Sequence, residues 1–169
     1  MTTTIVRVTL APREQQVVEG LADGSTLSTV ARNLKIRQGT ASGYLKFAKR
    51  KLHGVSENTA ALAVGYATGA ITRPDLLAPG TLDLPREQLD LVPLIARGMT
   101  IAQMATELKR SPGTHQLKPE TTGTPSVTII RRSIGELTAN LQARNRAHLI
   151  TRAWQYQILT VDQVTAWLR

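Results

Sequence analysis

The side chains best suited to contact a charged polymer lie between positions 37 and 51. Cationic groups there can bind phosphate oxygens, and amide or hydroxyl groups can hydrogen-bond to base edges. The candidate contacts in this segment are Arg37, Gln38, Thr40, Ser42, Tyr44, Lys46, Lys49, Arg50 and Lys51. Simpler interpretations stay open: a solvated basic helix face, a helix cap at Thr40, half-buried packing at Tyr44, or a Lys51 stem extended along apolar surface.

A second group with similar chemistry follows much later in the chain. Its members are Ser126, Thr128, Arg131 and Arg132. Adjacent arginines suit phosphate, and arginine also reads guanine. Gly135 weakens the helix that would carry them by about 1 kcal/mol. This group is therefore interpreted either as a second DNA contact or as part of a dimerisation or partner-binding module.

The net charge favours a polyanionic partner. The chain of 169 residues has 21 Lys and Arg against 12 Asp and Glu, which gives a formal charge of +9. Such an excess attracts nucleic acid or an anionic membrane surface. No apolar run is long enough to span a bilayer, and the helical stretches are rich in Ala and Thr rather than in bulky apolar residues. We therefore expect a cytoplasmic, nucleoid-associated protein with no membrane contact.

The sequence offers little support for catalysis. The absence of cysteine excludes disulfides, Cys-ligated zinc, iron–sulfur clusters and thiol chemistry. His53, His115 and His148 show no metal-ligand spacing with nearby carboxylates. Neither a glycine-rich phosphate loop nor a nucleophile motif is present. We therefore expect a protein that is not an enzyme and that needs no metal or cofactor.

One unit occurs twice in the chain. The letters Pro-Arg-Glu-Gln at 12–15 return at 85–88, and positions in 24–35 return in 98–109. Further matches pair Asn58, Leu62, Ile71 and Asp75 with Asn145, Leu149, Ile158 and Asp162. Ordered matches of this kind indicate a duplication. The alternative is a chance likeness between two stretches rich in Ala, Thr and Leu.

The spacing between matched positions grows between Leu108 and Asn145, which predicts an insertion in the second unit. We place it at 110–126, where three of the eight prolines lie among Thr, Gly and Ser. The inserted segment carries Arg110, His115 and Lys118. It is expected to be a mobile loop, with contact to phosphates or a minor groove as the alternative.

Apolar spacing divides the first unit into four short helices. Pro12 suits the first turn of helix one, and Gly24 is its predicted stop. Ser25 or Thr26 caps the second helix, the third begins near Thr40, and the fourth covers about 57–67.

The second and third helices, joined by a tight turn, predict a helix-turn-helix with a polar and basic outer face. Ala31, Gly39 and Ala41 would let these two helices cross closely. In the second unit the corresponding buried stripe is predicted at Val127, Ile130, Ile134 and Leu137.

The last helix is predicted to open with a capping box at Thr160 and Gln163. Its apolar face is Val161, Val164, Trp167 and Leu168. We expect this face to pack in the core, and a dimer contact is the alternative.

With these residues in place, the chain resembles the LuxR/NarL-type (LuxR C-terminal) helix-turn-helix domain. That family's pattern runs L-T-P-R-E, A-x-G, I-A-x-x-L-x-I, T-V-K-x-H and K-L-x-V. The matches here are Leu10, Pro12-Arg13-Glu14, Ala22, Gly24, Val30-Ala31, Leu34, Ile36, Thr40, Lys51-Leu52 and Val55. The resemblance covers about 9–70 and, more loosely, 82–158. It implies a DNA-reading helix at about 40–52, with Lys51 on phosphate.

The chain departs from the family pattern at several positions. Ala11 replaces the usual Thr cap, which removes a contribution of roughly 1 kcal/mol from the first helix. Ser42 and Tyr44 stand where the family often has Lys and His, and His53 is an extra residue. In the second unit, the inserted segment falls between the two helices of the motif.

The sequence as a whole predicts an all-α protein of two small four-helix LuxR-type units. Residues 1–75 form the first unit, 76–82 a linker, and 83–169 the divergent second unit with its inserted loop. The expected function is sequence-specific regulation of transcription by binding double-stranded DNA. The alternatives are an architectural, replication or partition DNA-binding protein, and a protein-interaction module that engages RNA polymerase or another regulator. A homodimer is also considered.

Overall fold

A computed structural model describes residues 7–78, 82–110 and 127–168, except for the side chains of residues 109 and 110. These ranges contain helices and no strand, which confirms the all-α class. The helices are α1 (Pro12–Gly20), α2 (Leu27–Leu34), α3 (Gln38–Lys51), α4 (Asn58–Thr68), α5 (Arg86–Ala96), α6 (Ile101–Arg110), α7 (Val127–Asn140), α8 (Arg146–Gln155) and α9 (Val161–Leu168). Within the described ranges, no helix has the length and apolar character needed to cross a bilayer.

Helix α1 begins at Pro12 as predicted, but it ends earlier than predicted. Ala11 provides no side-chain cap. Instead, the Glu14 carboxylate accepts a hydrogen bond from the Ala11 backbone N–H at 3.1 Å. This bond gives a partner to one of the backbone N–H groups that the helix start leaves without one. The helix stops at Gly20, where an added Cβ would collide with Val30 of α2. Gly24 ends the following turn with a φ of +88° rather than ending the helix itself.

Helices α2 and α3 pack against each other across a short turn at 35–37. The Thr26 hydroxyl caps α2, and Lys35 turns the chain with a left-handed φ of 57°. Helix α3 starts at Gln38, slightly before the predicted start, because the backbone is already helical after Arg37. Ala31 of α2 and Ala41 of α3 are both buried in the core.

Helix α4 lies at the centre of the molecule. All of Thr59–Thr68 is buried, and the helix contacts α1, α5, α8 and α9. Its start at Asn58 lies just after the predicted start, since Glu57 is its N-cap. One apolar core extends from Leu10 to Val164 and includes residues from both predicted units. The boundaries of the two units therefore stay a prediction from the sequence, and residues of both units pack in one core.

Helices α5–α8, the second half, repeat the order of α1–α4, the first half, and several of their contacts. Helix α1 packs on α3 and α4, just as α5 packs on α7 and α8; α2 packs on α3 as α6 packs on α7. The buried positions of α1 and α5 pair Val17 with Leu91 and Val18 with Val92. The two Pro-Arg-Glu-Gln segments pair fully buried Val17 with partly exposed Asp90 instead, so the matching letters are out of register with the buried positions by one residue.

The registers of the later helices also differ from the predicted pairing. Buried Ala41 of α3 corresponds to Ile130 of α7, and Leu52 corresponds to Leu141. The N-caps of α4 and α8 are Glu57 and Asn145, whereas the matched letters pair Asn58 with Asn145. Relative to the turn between α2 and α3, the segment between α6 and α7 is therefore slightly longer than the matched letters indicate. The connection between α7 and α8 is shorter than the one between α3 and α4, which offsets part of this extra length.

The predicted insertion at 110–126 is only partly within the described residues. Arg110 is the last residue of α6 rather than the start of a loop. The remainder, 111–126, lies outside the residues that the structure describes, and so do His115 and Lys118. The prediction of a mobile loop there stays a prediction.

Helix α9 has no counterpart among the described helices of the first half. Its predicted capping box is confirmed: the Thr160 N–H donates to Gln163 Oε1 at 2.9 Å, and the Gln163 N–H donates to Thr160 Oγ1 at 3.4 Å. Val164 is fully buried, with Val161, Trp167 and Leu168 packed partly against the core. The core role predicted for this apolar face is thus confirmed.

Candidate nucleic-acid interface

Helix α3 and its N-cap Arg37 leave most of the predicted contact residues exposed to solvent. Ala41, Leu45, Ala48 and Leu52 hold its opposite side in the core. The exposed members of the predicted set are Arg37, Gln38, Thr40, Ser42, Lys46, Arg50 and Lys51. Tyr44 is only half exposed and packs against the core, in line with the packing interpretation.

The first turn of α3 is open to solvent. Gly39 was predicted to lie at the crossing with α2, and that prediction is wrong. A Cβ atom added to Gly39 or Gly43 would meet nothing within 4 Å among the described residues. Both glycines therefore leave the helix backbone accessible on the outer side of α3.

Lys46, Lys49 and Arg50 line an open groove of about 440 Å³ between α3 and the segment 54–56. Lys49 Nζ donates a hydrogen bond to the Ser56 carbonyl at 3.0 Å. Partial burial lowers the pKa of Lys49, and the negative charge of Glu57 opposes that effect. Within the described part of the chain, no carboxylate forms an ion pair with Lys46 or Arg50, so their charges are available to an external anion.

Lys51 differs from the other cations because it is held by the protein. Its Nζ lies 2.7 Å from Glu14 Oε1, and 47% of the Lys51 side chain remains exposed. Burial raises the pKa of the Glu14 carboxyl, but hydrogen bonds from Lys51 and Ala11 together with the Lys51 charge outweigh burial and lower it. The ion pair joins α1 to the end of α3 and thereby orients the helix. A phosphate contact by Lys51 stays a prediction.

The second predicted group lies on α7. Thr128, Arg131 and Arg132 are exposed, and Arg132 Nε is 3.5 Å from Glu136 Oε1 one turn later. Ser126 lies outside the described residues. Ile130, Ile134 and Leu137 are buried as predicted, whereas Val127 is 43% exposed. The arginines therefore project from α7 on the side away from the core.

Phe47 is a surface residue that the sequence reasoning missed. It is the one phenylalanine of the chain and is 52% exposed, with the Arg50 guanidinium 5.8 Å from the ring centroid. Helical spacing could have revealed this position, because Phe47 lies outside the buried stripe of α3. An exposed apolar ring beside cations can contact a thymine methyl group or another protein.

In residues 7–78, 82–110 and 127–168, no cluster of three or more histidine or acidic side chains could hold a metal ion. His148 is engaged structurally, since its Nδ1 accepts a hydrogen bond from the Arg144 N–H at 3.0 Å. Burial and the nearby Arg152 and Arg144 lower its pKa.

No family model, curated protein or solved structure matches the chain.

Proposed function

We propose that the protein is a transcriptional regulator that binds double-stranded DNA in a sequence-specific way, with α3 as a recognition helix in the major groove. In this proposal α2 and α3 form the helix-turn-helix of a LuxR-type unit, and α6 and α7 form that of a second, divergent unit. The observation that carries the proposal is the outer side of α3. It combines cations that have no ion-pair partner among the described residues with amide and hydroxyl groups, on a helix whose inner side is fixed in the core.

The positions of the side chains on α3 support separate sites for phosphate contacts and for base contacts. Lys46 and Arg50 lie beside the groove and suit phosphate oxygens, which attract cations regardless of sequence. Gln38, Thr40 and Ser42 lie toward the helix start, where recognition helices contact base edges. Capture by charge and discrimination by the polar side chains would thus use different parts of one helix.

The test begins with selection of bound fragments from genomic DNA at about 0.15 M salt, where nonspecific binding is suppressed. Affinities for selected and random duplexes are then compared in titrations over salt concentration. Gln38→Ala or Ser42→Ala should relax sequence preference. Lys46→Ala should weaken binding to all duplexes and reduce the slope of log affinity against log salt by about 1.

Arg86→Ala is the matched control, because it removes one exposed positive charge from α5 rather than from α3. It should leave the selected sequence unchanged. Unaltered affinity in Lys46→Ala would refute the assignment of α3. Equal affinity for random and selected duplexes would indicate an architectural, replication or partition role instead.

A protein-interaction module is the second candidate, and exposed apolar side chains favour it. Phe47 on α3 is 52% exposed, and Val127 and Ile129 on α7 are 43% and 57% exposed. Side chains of this kind are common at protein contacts. This function predicts little duplex binding at about 0.15 M salt, together with loss of partner binding in Phe47→Ser.

A further inference from the structure

The two halves of the molecule face each other through equivalent residues. When the N-caps of α4 and α8 are aligned, Tyr66 corresponds to Trp154. These two rings contact each other, with centroids 5.5 Å apart. A residue that contacts its own equivalent lies close to a two-fold axis, because a head-to-tail arrangement would bring non-equivalent surfaces together.

The turns after α1 and α5 make reciprocal contacts on either side of this ring pair. The turn after α1 rests on the start of α8, where Asn145 Nδ2 donates to the Gly24 carbonyl at 2.8 Å. The turn after α5 rests on the start of α4, where a Cβ at Gly98 would lie 2.6 Å from Glu57 Cβ. Gly24 and Gly98 are equivalent in the register that pairs Val17 with Leu91, and Glu57 and Asn145 are the equivalent N-caps.

Resting on the proposed function, we infer that one chain binds two DNA half-sites in inverted orientation, with α3 on one and α7 on the other. A two-fold relation between the halves reverses the direction of the second recognition helix relative to the first. In DNA-binding homodimers two subunits supply the two helices, whereas this chain carries both helices on one shared core. A single chain is thus the complete DNA-binding unit.

The outer residues of α3 and α7 specify two different half-sites. In the register that pairs Ala41 with Ile130, Ser42 corresponds to Arg131, and Lys46 corresponds to Gly135. The first half-site therefore meets the hydroxyl of Ser42 and the cation of Lys46. At the same two positions, the second half-site meets the guanidinium of Arg131 and the helix backbone at Gly135. The expected target is an imperfect inverted repeat rather than a palindrome.

The experiment uses the full chain and a duplex obtained by selection. Native mass spectrometry should find one chain per duplex, and hydroxyl-radical footprinting should find two protected segments. The double variant Lys46→Ala/Arg50→Ala should weaken protection of one segment, and Arg131→Ala/Arg132→Ala should weaken protection of the other. Arg86→Ala serves as the control for loss of charge elsewhere. Circular dichroism of each surface variant should retain the helical signal of the parent protein.

A second duplex separates inverted from direct order. Turning one half-site round should lower affinity at least about tenfold, because its base contacts are then lost. Equal binding to the direct repeat, two chains on one inverted repeat, or a single protected segment unaffected by the α7 variant would each overturn the inference while leaving DNA binding intact. If no duplex were bound, the proposed function would fail and the inference would fail with it.

Discussion

At the residue scale, one position in each half joins the first helix to the third by different chemistry. In the first half, Lys51 forms an ion pair with buried Glu14. At equivalent positions in the second half, Asn140 Nδ2 donates a hydrogen bond to Gln88 Oε1 at 2.9 Å. The same contact is ionic on α3 and neutral on α7. The ion pair thus accounts for one cation at the end of α3, at a position where α7 has an amide.

Exchanging the ionic pair for the neutral pair tests the structural role of Lys51. Glu14→Gln or Lys51→Asn alone should lower the free energy of unfolding by about 0.5–1.5 kcal/mol, since Lys51 is half exposed and its charge is screened. The double variant should recover part of that loss. Urea unfolding at pH 7 measures all three variants, and additive losses in the double variant would contradict coupling.

The same ion pair predicts a dependence on acid. The folded-state pKa of Glu14 lies below its ordinary value of 4.5, so the ionised carboxylate stabilises the fold above that pH. This contribution is lost as the pH falls through the depressed folded-state pKa. Glu14→Gln should therefore have a smaller loss of stability between pH 5 and pH 3 than the parent protein. A parent-like acid profile in that variant would exclude Glu14 as the titrating group.

At the element scale, α3 combines a firmly packed inner side with a weakened outer side. Gly39 and Gly43 disfavour the helix, yet apart from their chain neighbours and the backbone of α3 itself, no described atom lies within 4 Å of a Cβ at either position. Packing within the described part of the chain thus gives no reason for these glycines. Close approach of an external partner to the helix backbone does give one, since glycine permits such an approach.

Gly43→Ala should accordingly separate stability from binding. The variant should raise the free energy of unfolding by about 0.5–1 kcal/mol through helix propensity, because open space surrounds the new methyl group. Its affinity for the selected duplex should fall. Gln16→Ala, on the exposed side of α1 and outside both helix-turn-helix motifs, is the control for a propensity gain without loss of affinity. Unchanged affinity in Gly43→Ala would place the DNA away from this side of α3.

At the scale of the whole molecule, the two halves are held together by α4 and α8. Tyr66 adds a hydrogen bond of 2.9 Å between its hydroxyl and that of Thr151, next to its ring contact with Trp154. Arg73 lies 5.5 Å over the Trp154 ring. Because one core includes residues of both halves, we expect the chain to unfold in a single cooperative transition.

Two glycines with the same backbone conformation test the contact between the halves. Gly98→Ala should be costly because its φ is +76° and its new Cβ would lie 2.6 Å from Glu57 Cβ and Cγ. Gly54→Ala has a similar φ of +70° in open space and should cost only about 1–2 kcal/mol of backbone strain. Overpacking at Gly98 should add about 1–3 kcal/mol to that cost. Equal losses in urea unfolding would show that the contact contributes nothing.

The sequence alone was sufficient for much of the local structure. Helical apolar spacing and caps predicted the all-α class, the start of α1 at Pro12, and the capping box at Thr160. They also predicted the basic outer side of α3, because a helix with one buried stripe must turn its remaining residues outward. These features depend on residues within a few turns of each other.

The tertiary structure alone decided how these elements meet. It paired Val17 with Leu91 where matching letters pair Val17 with Asp90, since burial rather than residue identity defines equivalent positions. It joined Lys51 to a carboxylate 37 positions earlier and brought Tyr66 onto Trp154. Such contacts lie beyond sequence patterning, because the partner of a side chain distant in the chain depends on how whole helices pack.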